Sequence, residues 1–256
     1  MQIISINGET VLFESDDDTM TRTVSAANRA KVSLMSANLA NADLSYAELS
    51  GVNLRRACLD GAIFTKACLV GANLSEAIMM HTKFEGSDLS GANFSGSKMI
   101  GAQLCCAHMQ GANFTYAALS AADLYFADMQ DCNMRHAALD HAYMAGTDLK
   151  GANLSYAYLN LANINGAKLQ GARLSAGETV LDDNSIFQVG PIGSRGDVLV
   201  AYNTSAGVRI DFGCQRQITV EHFLSRLHST HHNTPFKKEY LAVLELIKAR
   251  FSLETL

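Results

Sequence analysis

The chain has no apolar run of 18 residues, so no helix long enough to cross a bilayer and no membrane partner are expected. Its start, Met1-Gln2-Ile3-Ile4-Ser5-Ile6-Asn7-Gly8, lacks a basic segment and a long apolar core, so no secretory signal is expected and the setting read from it is cytoplasmic. Its six cysteines (Cys58, Cys68, Cys105, Cys106, Cys132 and Cys214) include no Cys-x-x-Cys pair. They read as reduced thiols, with neither a disulfide frame nor a zinc site, and no metal or other cofactor is expected. Charge is also in short supply: 20 Lys+Arg stand against 25 Asp+Glu, a net of −5. No basic stripe offers itself to nucleic acid, so direct nucleic-acid binding is not expected. The loop Gly190-Pro191-Ile192-Gly193-Ser194-Arg195-Gly196 lacks the spacing and the Lys-Ser/Thr ending of a phosphate-binding P-loop.

What the chain does have is a strict five-residue clock. From Leu34 to Leu174 every fifth residue is Leu, Met, Phe or Ile, 29 centres without a slip. Two residues before each centre stands a small residue, Ala in 22 of the 29 cases; the exceptions are Val32, Val52, Thr82, Ser87, Ser97, Cys132 and Thr147. A period of five fits neither an α-helix nor a plain strand, so the backbone must turn a corner every five residues. A second period of 20 lies over the first. Gly51, Gly71, Gly91, Gly111, Gly151 and Gly171 form one column, broken by Asp131, and Asn53, Asn73, Asn93, Asn113, Asn133 and Asn153 form another. Four corners per coil give that period. The glycines suit corners that need positive φ. The asparagines suit side-chain amides stacked along an axis.

On these residues the chain resembles the pentapeptide-repeat family, whose unit reads Ala-(Asp/Asn)-Leu-x-x, over residues 32–176. The resemblance implies an all-β solenoid, a right-handed quadrilateral β-helix with the centres and small residues inside. Residues 1–31 read as an N-terminal cap: a β-hairpin about Asn7-Gly8, an acidic turn, and a short helix within 19–31. Residues 177–256 abandon the clock and read as a small α+β domain. Strands are expected at 186–189, 198–202 and 208–212, with 190–196 a tight loop. Two helices follow, the first N-capped by Thr219, the second by Thr234 with Pro235 in its first turn. The run Gly190–Arg195, Gly213-Cys214 and the Lys238-Glu239-Tyr240 helix is similar to the tail of phage- and prophage-associated members of the family, although Gln215-Arg216-Gln217 departs from their pattern.

Three classes of function meet these residues. Catalysis is the least supported, and no catalytic residue is assigned. His228, His231 and His232 cluster between the last two helices, but as a metal site they would need further ligands such as Cys214. His108 shares a column with Asp88 and Asp128 on a flat face, which offers no pocket to exclude water. Gly193, Ser194 and Arg195 form a candidate anion or small-ligand loop through backbone N–H groups. The second class is duplex mimicry. The quinolone-resistance members of the family imply binding to a type II topoisomerase such as gyrase by an acidic β-helix. Residues 31–175 carry 10 basic and 11 acidic residues, a net of −1, and Glu48, Asp88, Asp128 and Asp148 make a stripe rather than a duplex-like surface. The third class, and the reading adopted, is a non-enzymatic protein-interaction module that binds and blocks a host protein. Tyr116, His136 and Tyr156 fall in one outward column, Tyr158 at the neighbouring corner, and Tyr125, Phe126 and Tyr143 on the next face. Exposed aromatics gathered between 116 and 158 mark a binding patch, unless the C-terminal domain or a second copy of the chain covers them.

Overall fold

The computed structural model describes residues 1–159, 161–175, 178–180, 186–192, 197–212, 215–230 and 235–251. Between 34 and 174 the chain winds as a solenoid. The residue before each centre forms a parallel bridge to the residue 20 further on, from Asn38–Cys58 through Asn93–Asn113 to Asn153–Arg173. Within each five-residue side the small residue, the bridging residue after it and the centre are extended, so the first and third point the same way and the second points out. That alternation puts both Ala and Leu inside. All 29 centres are buried, none more than 7% exposed. The phenylalanines stack along the axis, Phe64 on Phe84 at 5.0 Å and Phe94 on Phe114 at 4.7 Å between ring centroids.

Every corner is built alike. From Lys31 to Gly171 each fifth residue has positive φ. From Ser36 onward the N–H of the next small residue donates to the preceding centre's carbonyl, as Ala117 does to Phe114 at 2.9 Å, while Lys31 follows the N-terminal helix and Val32 donates to Ala27. A left-handed third residue with that bond is a type II turn. The glycine column follows this rule, with φ near 65° at Gly51, Gly71, Gly91 and Gly111. So does Asp131 at φ 57°, and so do 16 other non-glycine residues, each bearing a left-handed strain of roughly 1 kcal/mol. The Asn column does something different from the amide stack expected of it. Asn53, Asn73, Asn93, Asn113, Asn133 and Asn153 each accept the backbone N–H two residues on through Oδ1, at 3.0–3.3 Å, closing the entry to the corner. Within that column a single amide-to-amide rung is formed, Asn113 to Asn93 at 3.3 Å.

Both ends of the rod are covered. At the N-terminus, β1 (Gln2–Ile4) and β2 (Val11–Glu14) pair antiparallel, and α1 (Met20–Arg29) is capped by the Thr19 side chain. Ile3, Val24 and Ala27 join the core of the first coil. The Thr21 hydroxyl and the Asn28 amide donate to the Asp43 and Ser50 carbonyls of that coil's edge, at 2.7 and 3.2 Å. At the other end β3 (Arg173–Ser175) and β4 (Glu178–Thr179) pair, and a four-stranded antiparallel sheet follows in the order β5 (Ile186–Ile192), β6 (Asp197–Thr204), β7 (Gly207–Phe212), β8 (Gln215–Thr219). Two helices close the chain, α2 (Val220–Thr230) and α3 (Pro235–Phe251). Alternation along β6 gives the sheet two apolar faces. Val200 and Tyr202 extend the solenoid core, while Leu199 and Ala201 join Phe223, Leu227, Tyr240, Val243 and Ile247 of the helices.

Two readings of this region change. Residues 190–192 are not loop: β5 continues through Gly190-Pro191-Ile192 past an irregularity in register, and Ile192 pairs with Asp197. And β8, at the far edge of the sheet, is a strand beyond the three expected from the sequence. The N-cap of α2 is as expected, Thr219 Oγ1 accepting the His222 N–H at 3.2 Å. Thr234 lies outside the described residues.

Candidate functional site

Tyr116, His136 and Tyr156 occupy the same corner on three successive coils. Each backbone N–H of the first two donates to the coil above, Tyr116 to the Arg135 carbonyl at 3.0 Å and His136 to Ser155 at 3.2 Å. The coil spacing therefore becomes the ring spacing. Tyr116 and His136 lie 4.7 Å apart and 1° from parallel; His136 and Tyr156 lie 4.9 Å apart and 7° from parallel. The Arg135 guanidinium stands 5.8 Å from the Tyr156 ring centroid, within cation–π range. Because the rings are stacked plane on plane, their faces cover one another and their edges and hydroxyls meet solvent. Tyr116 is 66% and Tyr156 54% exposed. Gly96, without a side chain, precedes Tyr116 in this corner column.

Tyr125, Phe126 and Tyr143 make a second cluster. Tyr125 meets Phe126 edge-on at 4.5 Å and Tyr143 face-on at 5.5 Å. Phe126 is a corner residue at φ 52°, and its ring lies where a side chain on Gly146 would stand. The two clusters do not merge into one face. Between them runs a side whose outward bridging positions are Ala118, Ala138 and Tyr158. Tyr158 is thus in the middle of a side, paired in parallel with Ala138, rather than at a corner as its column suggested. It is 52% exposed and rises at one end of the alanine strip. The C-terminal sheet, seated on the last coil, leaves both clusters open to solvent.

Glu48, Asp88, Asp128 and Asp148 share one column with Cys68, His108 and Lys168 between and beyond them. Three of the four carboxylates close corners, as the asparagines do. Asp88 accepts the Ser90 N–H and hydroxyl at 3.1 and 2.7 Å, Asp128 the Gln130 N–H at 3.3 Å, and Asp148 the Lys150 N–H at 3.2 Å. Asp128 also accepts the Gln110 amide at 2.7 Å, and Asp148 pairs with Lys168 at 3.5 Å. Lower on the rod the Arg55 and Arg56 guanidiniums hold Glu76 between them and lower its carboxyl pKa.

Gly193, Ser194 and Arg195 lie outside the described residues, as do Cys214, His231 and His232. His228 is described; its Nδ1 lies 2.7 Å from the Leu224 carbonyl on α2. Among the described residues no three His, Cys, Asp or Glu side chains are grouped to hold a metal ion, and no helix is long and apolar enough to cross a membrane. Cys132 fills its inward slot, donating to the Met109 carbonyl at 2.9 Å, and burial pushes its thiol up to about 12. Sequence reasoning passed over one arrangement: the adjacent thiols of Cys105 and Cys106 meet at a corner, 3.5 Å apart. Their adjacency was the signal, and only the corner geometry shows that they point the same way.

No curated protein matches the chain. Among solved structures it is similar to Rfr23 of the cyanobacterium Cyanothece 51142, at 21% identity over 40% of this chain and 67% of that one, TM-score 0.34. It is also similar to HetL of Nostoc sp. strain PCC 7120, a protein involved in heterocyst differentiation regulation, at 28% identity over 54% and 83%, TM-score 0.20. QnrB1, a plasmid-mediated fluoroquinolone resistance protein, matches at 25% identity over 52% and 70%, TM-score 0.19. These superpositions are poor, and membership rests on the repeat. The family of pentapeptide repeats matches in 8 copies, at residues 33–69, 64–96, 87–124, 117–155 and 142–176. With the clock, the corners and that match over more than half its length, the chain belongs to the pentapeptide-repeat family.

Proposed function

We propose that this protein is a non-catalytic, phage- or prophage-encoded interaction module that binds and blocks a host protein through the aromatic residues at 116–158, with help from its C-terminal region. The phage setting is carried by resemblance alone, that of the C-terminal region and of the hairpin-like start at Asn7-Gly8. One observation carries the binding surface: large rings are held, exposed, at corners where glycine would relieve the backbone. Tyr116, Phe126 and Tyr156 sit at φ between 52° and 63°, more than half exposed, although 12 other solenoid corners use glycine. A large exposed ring at a strained corner is a candidate for contact with a partner. Stacked rings present their electropositive edges and their hydroxyls, and Arg135 stands beside them, so the surface suits a partner rich in carbonyl and carboxylate acceptors. The right-handed quadrilateral winding and the capping role of residues 1–31 belong to the same proposal. Covered ends leave no open sheet edge for coils of two molecules to stack.

The test compares the wild type with a Tyr116→Gly, Phe126→Gly, Tyr156→Gly variant, since glycine removes the rings without leaving strained corners. A host protein captured from bacterial lysate is purified, and its affinity for both forms is measured by calorimetry. The expected result is a loss of at least about tenfold for the variant, in line with removal of aromatic anchors, and a monomeric mass for the free wild type in light scattering. Equal affinity for both forms would sink the aromatic reading. If the captured protein is a topoisomerase subunit and binding is lost instead on Asp88→Asn and Asp128→Asn, the duplex-mimic reading replaces it.

A further inference from the structure

In an extended strand two successive side chains point to opposite sides. Cys105 and Cys106 escape that rule because they are the two central residues of a corner, with Cys106 left-handed at φ 57°. Their sulfurs lie 3.5 Å apart at the outer edge of the rod. The corner is held from above and below: the Gly86 N–H donates to the Cys105 carbonyl at 3.1 Å, and the Cys106 N–H donates to the Tyr125 carbonyl at 2.9 Å. Cys106 is exposed and Cys105 partly so. The other described cysteines have no such partner. Cys132 is buried, and Cys58 and Cys68 lie on opposite sides of the coil.

We propose that the Cys105–Cys106 corner is a bidentate thiol site for a trivalent arsenical, which it takes up by bridging one arsenic between the two sulfurs. A thiophilic centre bonded to sulfur at the ~2.3 Å usual for such bonds spans sulfurs roughly 3.5–3.8 Å apart, so the corner needs little rearrangement. A centre that demands three or four protein donors is not served, since no third ligand is grouped with the pair among the described residues. The reaction balances without a redox partner. A hydrated arsenical R–As(OH)2 loses two As–O bonds and gains two As–S bonds. Each thiol proton leaves with a hydroxyl as water, and no electrons change hands. The sulfur attacks as thiolate, and because burial, then the hydrogen bond with Cys106, push the Cys105 thiol up to about 11, its proton leaves as its As–S bond forms. Because Cys106 is bonded to the Tyr125 backbone, an occupied site stands one coil from the Tyr125–Phe126 cluster.

The experiment uses the full-length chain, reduced, with phenylarsine oxide as the probe. Native mass spectrometry is expected to show one adduct per chain, and thiol titration the loss of two reactive thiols. Cys105→Ser and Cys106→Ser are each expected to weaken binding on the order of 10²–10⁴-fold, the loss of a chelate's second attachment. The Cys58→Ser, Cys68→Ser variant, whose substitutions lie elsewhere on the rod, is expected to bind as the wild type does, and thermal melts of all variants check the fold. An adduct of unchanged affinity in both single-serine variants would overturn the proposal, as would a wild type whose thiols titrate yet take up no probe.

Discussion

At the inward small slot, four of the five buried polar side chains hand their proton to a backbone carbonyl. Thr82 and Thr147 donate to the Leu59 and Leu124 carbonyls at 2.9 and 2.8 Å, Ser87 to Phe84 at 2.7 Å, and Cys132 to Met109 at 2.9 Å. Ser97 is buried in the same kind of slot, and its hydroxyl has no partner. An unpaired buried hydroxyl costs about 1–3 kcal/mol, so Ser97→Ala is expected to raise stability by roughly that amount, read from the urea midpoint at constant slope. Thr82→Ala is expected to lower it. If Ser97→Ala destabilises, the hydroxyl is satisfied after all. The sequence marked these five positions as exceptions to alanine; it did not say which side chain finds a carbonyl, because the acceptor lies one turn earlier for Thr82, Thr147 and Cys132 but at the preceding centre for Ser87.

The repeating element is a three-residue extended side and a left-handed corner, and its period was legible because every unit must make the same turn. The identity of the corner residue was not. The glycine column suits positive φ, yet 17 other residues also accept it. The strain is small enough for neighbouring coils to hold. Glycine corners can therefore be compared directly. Gly111→Ala places its Cβ in open space and is expected to cost only the left-handed strain, roughly 1–2 kcal/mol. Gly146→Ala places it 2.9 Å from Phe126 Cε1, so it is expected to cost more and to shift the Phe126 and Tyr125 ring resonances. Equal melts and unmoved rings would show that Phe126 does not lie over Gly146. Edge strands hid for a different reason. In β8 the described pattern rests on Ile218 alone, flanked by Gln215, Arg216 and Gln217, so no alternation announced a strand. In β5, Gly190-Pro191 read as punctuation, but an edge strand with an irregular register has room for a residue without an N–H.

Across the whole molecule, stability passes from coil to coil, and the two ends decide whether it is kept. The C-terminal end relies on one side chain in particular. Gln188 of β5 donates from Nε2 to the Ala162 carbonyl at 2.7 Å and accepts the Ile164 N–H at Oε1 at 3.1 Å, so its amide stands in for a strand that the last coil lacks. Gln188→Ala is expected to cost about 1–3 kcal/mol and to speed hydrogen exchange at Ile164 while leaving the middle coils protected. Exchange that rises evenly along the rod would mean that the end is not a separate unit. The columns of aromatic residues were legible at this scale from position modulo 20 alone, but their division into two clusters by Ala118 and Ala138 was not, since it depends on where a side ends and a corner begins. The unslipping register also fixes how such a chain can change in length. Removing 20 residues from the middle shortens the rod by one coil, roughly 4.8 Å, and returns every column to its place. Removing five leaves each side and corner intact, yet turns everything beyond the cut by a quarter. Tyr116 would then no longer stand over the column of Arg56, Glu76 and Gly96, and both aromatic clusters would face a new direction relative to the N-terminal hairpin. Whole coils are the steps in which this rod can grow or shrink while keeping its orientation, and single repeats are the steps in which it can be re-aimed.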